Sequence, residues 1–157
     1  FNFFNSNYSI LQFKKLISPL LCELDHGFKS IIESNKMVSL ERTSDYLSYK
    51  TYFEKYYLLI ENKVVIVKPS PEYLRIGDIE YCDYNTLGNI ISQLKKITYK
   101  SGIRYLRLQT SKGNNLENFL KDNAEKMTIE YPFIRKILDK KPNIHKQSIS
   151  LLDYDTF

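Results

Sequence analysis

Apolar side chains in the first third of the chain recur at helical spacing. Over residues 8–17 they follow one another at intervals of three and four, which predicts one face of a helix. A proline then predicts a break, followed by a short second helix that ends at Gly27. Residues 28–34 are expected to add a helical turn or two, and Thr43 or Ser44 to cap a further helix.

The middle of the chain changes to β-branched and aromatic runs. Residues 56–60 and 63–67 predict two strands joined by a tight turn at Glu61 and Asn62. A Pro-Ser-Pro sequence marks a second turn, because proline cannot continue a central strand. Residues 73–81 predict a third strand.

Helical spacing returns after this strand. Residues 85–100 carry the most regular amphipathic pattern in the chain, closed by a glycine. Residues 103–109 are predicted to form a buried strand with apolar residues on both faces, and residues 116–123 a short helix. Two more strands are predicted, over residues 127–138 and 148–152.

This order of elements predicts an α/β (α+β) fold. Its sheet is mixed and mostly antiparallel, with helices on both faces and further helices before it. A length of 157 residues and 43% apolar composition fit one domain, in which residues 1–52 are mainly helical and residues 53–157 form the sheet core. The chain does not begin with Met, so it is interpreted as a possible C-terminal part of a longer protein.

Composition narrows the functional classes. No stretch approaches the roughly 20 apolar residues of a membrane-spanning helix, so no membrane association is expected. Cys22 and Cys82 are too few for a disulfide scaffold and lack zinc spacing, which predicts a cytoplasmic protein with no metal site. The net charge of +5 comes from scattered lysines, so no nucleic acid is expected. The oligomeric state stays open.

Several segments resemble the GNAT superfamily of acetyl-CoA-dependent acyltransferases. The resemblance spans roughly residues 40–157 and depends on the order of elements more than on single residues. The segments that carry it are the run from Arg42 to Leu47, the hairpin over residues 57–67, the strand over 73–81, the helix over 85–100, and the strand and helix over 103–109 and 116–123.

The resemblance implies an acetyl-CoA site at the turn between the third strand and the long helix. A helix N-terminus directs free N–H groups and a positive dipole end toward a pyrophosphate. The family carries a glycine-rich Q/R-x-x-G-x-G/A sequence there, whereas this chain has Gly88 alone and a negative charge at Asp83. The residues implied to bind acetyl-CoA are Tyr81, Cys82, Asp83, Asn85, Thr86 and Asn114.

The resemblance also implies catalytic groups. Acyl transfer to an amine needs a base for the amine proton and a donor for the departing thiolate. Glu80, which alternates with Asp78 onto one face of the third strand, is the implied base, and Tyr84 or Tyr131 is the implied donor. The alternatives are a solvated carboxylate at a strand end for Glu80 and ordinary packing for the two tyrosines.

Three functional hypotheses follow. The first is transfer of an acetyl group to a small-molecule amine, such as an amino sugar or amino acid. The second is a catalytically inactive GNAT-like domain that serves as a binding or interaction module, and the third is a nucleic-acid-binding module. An open cleft between strands 73–81 and 103–109 would favour the enzyme, and a filled seam the binding module.

Arg104 and Arg107 are expected to bind an anion or, more commonly, to pair with carboxylates such as Asp78.

Overall fold

The computed structural model of the protein describes residues 3–24, 26–32, 42–49, 54–110 and 115–123. Its helices and strands, in chain order, are α1 (Phe3–Ile17), α2 (Ser44–Tyr49), β1 (Tyr56–Ile60), β2 (Lys63–Pro69), β3 (Tyr73–Ile79), α3 (Tyr84–Ser101), β4 (Tyr105–Leu108) and α4 (Asn115–Asn123). A single 3-10 turn at Ser18–Leu20 follows α1.

The four described strands form one sheet in the order β1-β2-β3-β4. β1 pairs with β2, and β2 with β3, in antiparallel fashion, whereas β4 runs parallel to β3. The parallel pair is possible because α3 carries the chain back across the sheet. The predicted tight hairpin is confirmed: Glu61 and Asn62 have φ angles of 54° and 57°, as a two-residue turn between twisted strands requires.

Alternation along the strands gives the sheet two different faces. The front face carries the main core, in which Phe13 of α1 and Leu94 of α3 pack with strand residues such as Val65 and Ile76. On the back face, Ile66 of β2 packs against Leu47 of α2. Helices therefore cover both faces, as the mixed α+β prediction expected.

Helix α3 matches its sequence prediction closely, because local chemistry determines both of its ends. Asp83 lies just before the helix in extended conformation, and its side chain accepts a hydrogen bond from the Thr86 N–H. Gly102 follows the last turn with φ of 76°, a left-handed conformation that favours glycine.

The N-terminal third departs from its prediction. α1 begins at Phe3, five residues before the predicted start. The predicted second helix is wrong, and so are the helical turns as far as residue 32, because Leu21, Phe28 and Ser30 instead form bridges to other segments; residues 33 and 34 lie outside the described residues. Leu21 and Ser30 pair with Leu58 and Glu80 at the sheet and Phe28 pairs with Arg42, and such long-range pairing overrides a local helical pattern.

The last described strand also differs from its prediction. β4 was predicted to be buried, but none of its four residues is fully buried and Tyr105 is 54% exposed. Asn114, Tyr131 and the predicted strands over 127–138 and 148–152 lie outside the described residues. Among the helices described, none combines the length and the apolar character needed to cross a bilayer.

Candidate functional site

The seam between β3 and β4 is where an open cleft would favour the acyltransferase hypothesis. The parallel pairing ends at Ile76 opposite Leu108, whereas β3 continues to Ile79. At the same point β3 carries a bulge, since Gly77 is the extra residue between the pairs that Ile76 and Asp78 make with β2. The edge of β3 that faces β4 thus loses its strand partner beyond Ile76.

A segment from the N-terminal third takes up this edge, and residues 28–32 are called the edge segment below. The Ile31 N–H donates to the Ile79 carbonyl at 2.8 Å, and the Tyr81 N–H donates to the Lys29 carbonyl at 2.7 Å. Because the intervening Glu80 N–H donates to β2, these bonds lie on the opposite side of β3, the side of β4. The edge segment therefore occupies the edge of β3 beyond Ile76, on the side of the seam.

A buried polar cluster holds the edge segment in position. The Ser30 hydroxyl donates to Asp78 Oδ1 at 2.6 Å, and Arg42 Nε donates to Asp78 Oδ2 at 2.5 Å. The Ile79 N–H adds a third bond to the same carboxylate at 2.8 Å. The side chains of Arg42 and Asp78 are both fully buried. Each charge is thus compensated by its partner, as buried ions require.

Asp78 is not available as a second carboxylate beside Glu80. Burial raises the pKa of Asp78, whereas the Arg42 guanidinium and the Ser30 hydroxyl act in the opposite direction. Its carboxylate accepts hydrogen bonds from the Ser30 hydroxyl, Arg42 Nε and the Ile79 N–H. Asp78, the carboxylate named as an example of a partner for Arg104 and Arg107, is paired with Arg42 instead.

Glu80, the implied base, lies at the end of the β2–β3 pairing. Its Oε2 accepts from the Val64 N–H at 3.0 Å, and its Oε1 accepts from Lys63 Nζ at 3.3 Å. The Glu80 side chain is 28% exposed. Both oxygens therefore bind neighbours on β2, which extends the pairing of the two strands by one further contact.

The turn before α3 is the implied phosphate site. Asp83 Oδ1 accepts from the Thr86 N–H at 2.9 Å, and Oδ2 accepts from the Thr86 hydroxyl at 2.8 Å. The Thr86 N–H is the main reason that the pKa of Asp83 is lowered, and the Asn85 N–H contributes as well. The N–H groups that would face a phosphate are thus directed at a carboxylate.

The remaining described candidates make packing contacts. Lys29 Nζ lies 4.8 Å from the centre of the half-exposed Tyr81 ring. The Tyr84 ring lies 5.9 Å from Phe119 of α4. Burial, and then the charge of Asp83, raises the pKa of the Cys82 thiol, which disfavours the nucleophilic thiolate.

Glu80, Cys82 and Asp83 lie at one end of the sheet, close to one another along the chain. Two features of this region were not predicted from the sequence: the buried pair of Arg42 with Asp78, and the pairing of the edge segment with the end of β3. No local pattern indicates that Arg42 is buried, because its partner lies 36 residues along the chain. Among the described residues, no three His, Cys, Asp or Glu side chains come together in a group that could hold a metal ion.

The sequence and the fold were also compared with known proteins. No protein-family model, no curated protein and no solved structure matches the chain. Functional inference therefore depends on the geometry of the seam and of the sheet faces.

Proposed function

We propose that this chain is a GNAT-like domain that acts as a binding module rather than as an acetyltransferase. The observation that carries the proposal is the backbone pairing of the edge segment with Ile79 and Tyr81. A cofactor lying between two diverging strands needs the free edge of one of them, and here the chain's own backbone fills that edge.

The electrostatics of the turn before α3 support the same conclusion. A helix N-terminus binds phosphate through free N–H groups and a positive dipole end. Asp83 accepts from the Thr86 N–H and brings its own negative charge to the same position. An incoming pyrophosphate would have to displace that bond and overcome the repulsion between like charges.

The hydrogen bonds of Glu80, the implied catalytic base, also support the proposal. A general base needs a lone pair directed at the proton that it removes. Both carboxylate oxygens of Glu80 accept hydrogen bonds from β2, one of them from a backbone N–H. Such a carboxylate stabilises the end of a strand pair.

One observation favours acetyl transfer to a small-molecule amine as a second candidate. β3 and β4 are parallel and part at Ile76 and Leu108, so the strands follow the pattern that the acyltransferase resemblance implies. In this candidate acetyl-CoA enters the seam after the edge segment leaves it, and Glu80 and Tyr84 take the catalytic roles.

A calorimetric titration with acetyl-CoA, at low and moderate salt, separates the two candidates. A thiol-release assay with amino sugars and amino acids accompanies it. If the chain is a binding module, we expect no thiol release, and we expect Asp83→Asn to give the same acetyl-CoA titration as the unaltered protein. The substitution removes the repelling charge and keeps an oxygen that can cap the helix. Acetyl-CoA binding that Asp83→Asn tightens, together with thiol release, would contradict the proposal.

A further inference from the structure

Three cationic side chains lie next to one another on the back face of the sheet. Lys68 of β2 is opposite Arg75 of β3 in the antiparallel pair, and Arg75 is opposite Arg107 of β4 in the parallel pair. Neighbouring strands are about 4.8 Å apart, so the three form a line across the sheet. This line is called the basic row below.

The basic row concentrates positive charge at one place on the back face of the sheet. Like charges at opposed positions on neighbouring strands destabilise a sheet. Burial, and then the positive charge of Arg75, lowers the pKa of Lys68, which shows that the two cations affect each other.

Two buried polar atoms indicate that the basic row faces a ligand. Arg75 Nε is buried, and no acceptor among the described residues reaches it. Gln109 directly follows β4, two residues beyond Arg107, and its buried Oε1 receives no hydrogen bond from the described part of the chain. Buried polar groups are nearly always satisfied by protein, water or ligand, so a donor and an acceptor left open here point to a polar occupant.

An aromatic pair continues the same face. Tyr73 and Tyr105 precede Arg75 and Arg107 by two residues each, and their rings stack with centres 5.3 Å apart at 28°. Alternation therefore puts both rings beside the basic row. Rings next to cations form a surface suited to a ligand that carries both an anionic group and a sugar or a base.

We propose that the basic row binds a phosphorylated small molecule. Arg75 and Arg107 offer planar guanidinium groups that match phosphate oxygens in pairs, and Lys68 adds a point charge. A hydroxyl of the ligand would donate to Gln109. The inference names the ligand class of the binding role proposed above and rests on that role.

Calorimetric titration with inorganic pyrophosphate tests the basic row. We expect saturable binding that weakens with salt, and a loss of about tenfold or more in affinity for Arg75→Gln. Lys96→Gln is the matched control, because it removes one exposed positive charge from α3. No saturable binding at millimolar pyrophosphate, or equal binding by the two variants, would overturn the proposal.

Two further arms identify the phosphate source. Uridine diphosphate binding more tightly than pyrophosphate supports a nucleotide, whereas glucose 1-phosphate binding more tightly than inorganic phosphate supports a sugar phosphate.

Thermal unfolding without ligand tests a merely structural role of Arg75. We expect Arg75→Gln to unfold at the same or a higher temperature, because like charges are removed; a clearly lower temperature would contradict the proposal.

The two proposals fail in different ways. If acetyl-CoA binds Arg75→Gln as well as it binds the unaltered protein and thiol is released, the binding-module proposal is wrong, whereas pyrophosphate binding that depends on Arg75 still supports the basic row. If pyrophosphate does not bind, the basic row is wrong, and the acetyl-CoA titration still decides the function of the seam.

Discussion

Glu80 shows at the scale of one residue how structural and catalytic roles can be separated. We expect Glu80→Gln to lower the free energy of unfolding by less than about 1 kcal/mol, since an amide oxygen still accepts from the Val64 N–H. Glu80→Ala removes that acceptor and should cost about 1–2 kcal/mol. Chemical denaturation measures both. Equal costs for the two variants would show that the bond to Val64 contributes nothing.

Asp83 gives a pH dependence with a definite sign. Hydrogen bonds from Thr86 lower the pKa of Asp83 below its ordinary value of 3.8. The folded state thus favours the charged form, so this contribution to stability is complete above that value and is lost as the pH falls through the lowered pKa. We expect the melting temperatures of the unaltered protein and Asp83→Asn to differ less in strong acid than at neutral pH.

The control for this prediction is the capping oxygen itself. Asn keeps an oxygen that can accept from the Thr86 N–H but does not titrate in acid. Melting curves recorded from about pH 6 to about pH 2.5 give the comparison. A difference that stays constant across this range would show that Asp83 has the same pKa folded and unfolded.

Element by element, local chemistry explains what the sequence predicts correctly. α3 has a regular apolar period, an Asp cap and a glycine stop within its own residues. The β1–β2 hairpin likewise contains its own turn. The edge segment was predicted as helix because its strand partner, β3, lies some 50 residues along the chain, and periodicity within residues 28–34 contains no information about it.

Two glycines test how tightly the edge segment is seated. A Cβ at Gly27 would overlap the Arg42 carbonyl oxygen, which accepts from the Phe28 N–H. We expect Gly27→Ala to lower the free energy of unfolding by about 1–3 kcal/mol. Gly88→Ala is the matched control in α3, where nothing lies within 4 Å, and it should stabilise by about 0.5–1 kcal/mol.

Chemical denaturation of the two alanine variants gives the measurement. Equal changes for both would show that the backbone at Gly27 is not crowded. Gly88→Ala also bears on function, because Gly88 is the one glycine at the turn where the GNAT resemblance implies a phosphate. A loss of ligand binding in that variant alone would favour a phosphate at the turn and the acyltransferase candidate.

At the scale of the whole molecule, the buried cluster of Arg42, Asp78 and Ser30 joins the N-terminal third to the sheet. We expect Asp78→Asn to lower the free energy of unfolding by about 3–5 kcal/mol, because it removes the negative charge that is paired with the fully buried Arg42 guanidinium. The double variant Arg42→Met with Asp78→Leu removes both charges and should recover most of the loss.

Amide hydrogen exchange at Ile31 and Tyr81 reports whether the cluster holds the edge segment. Both N–H groups bond across the seam, so we expect faster exchange in Asp78→Asn than at amides of α3. If amide exchange instead became faster by the same factor throughout the sheet and α3, the variant would destabilise the whole molecule. The cluster would then have no specific role in keeping the edge segment paired with β3.

The hairpin turn at Glu61 and Asn62 has a consequence for the order of folding. β1 and β2 need to close only a two-residue loop, whereas the edge segment must find β3 across some 50 residues, and loop-closure entropy rises with that separation. We expect the hairpin to form early and the edge segment to dock last. Until the edge segment docks, the edge of β3 would be open to pairing with any other extended peptide. Early formation of the hairpin therefore leaves a short period during folding in which the chain can aggregate.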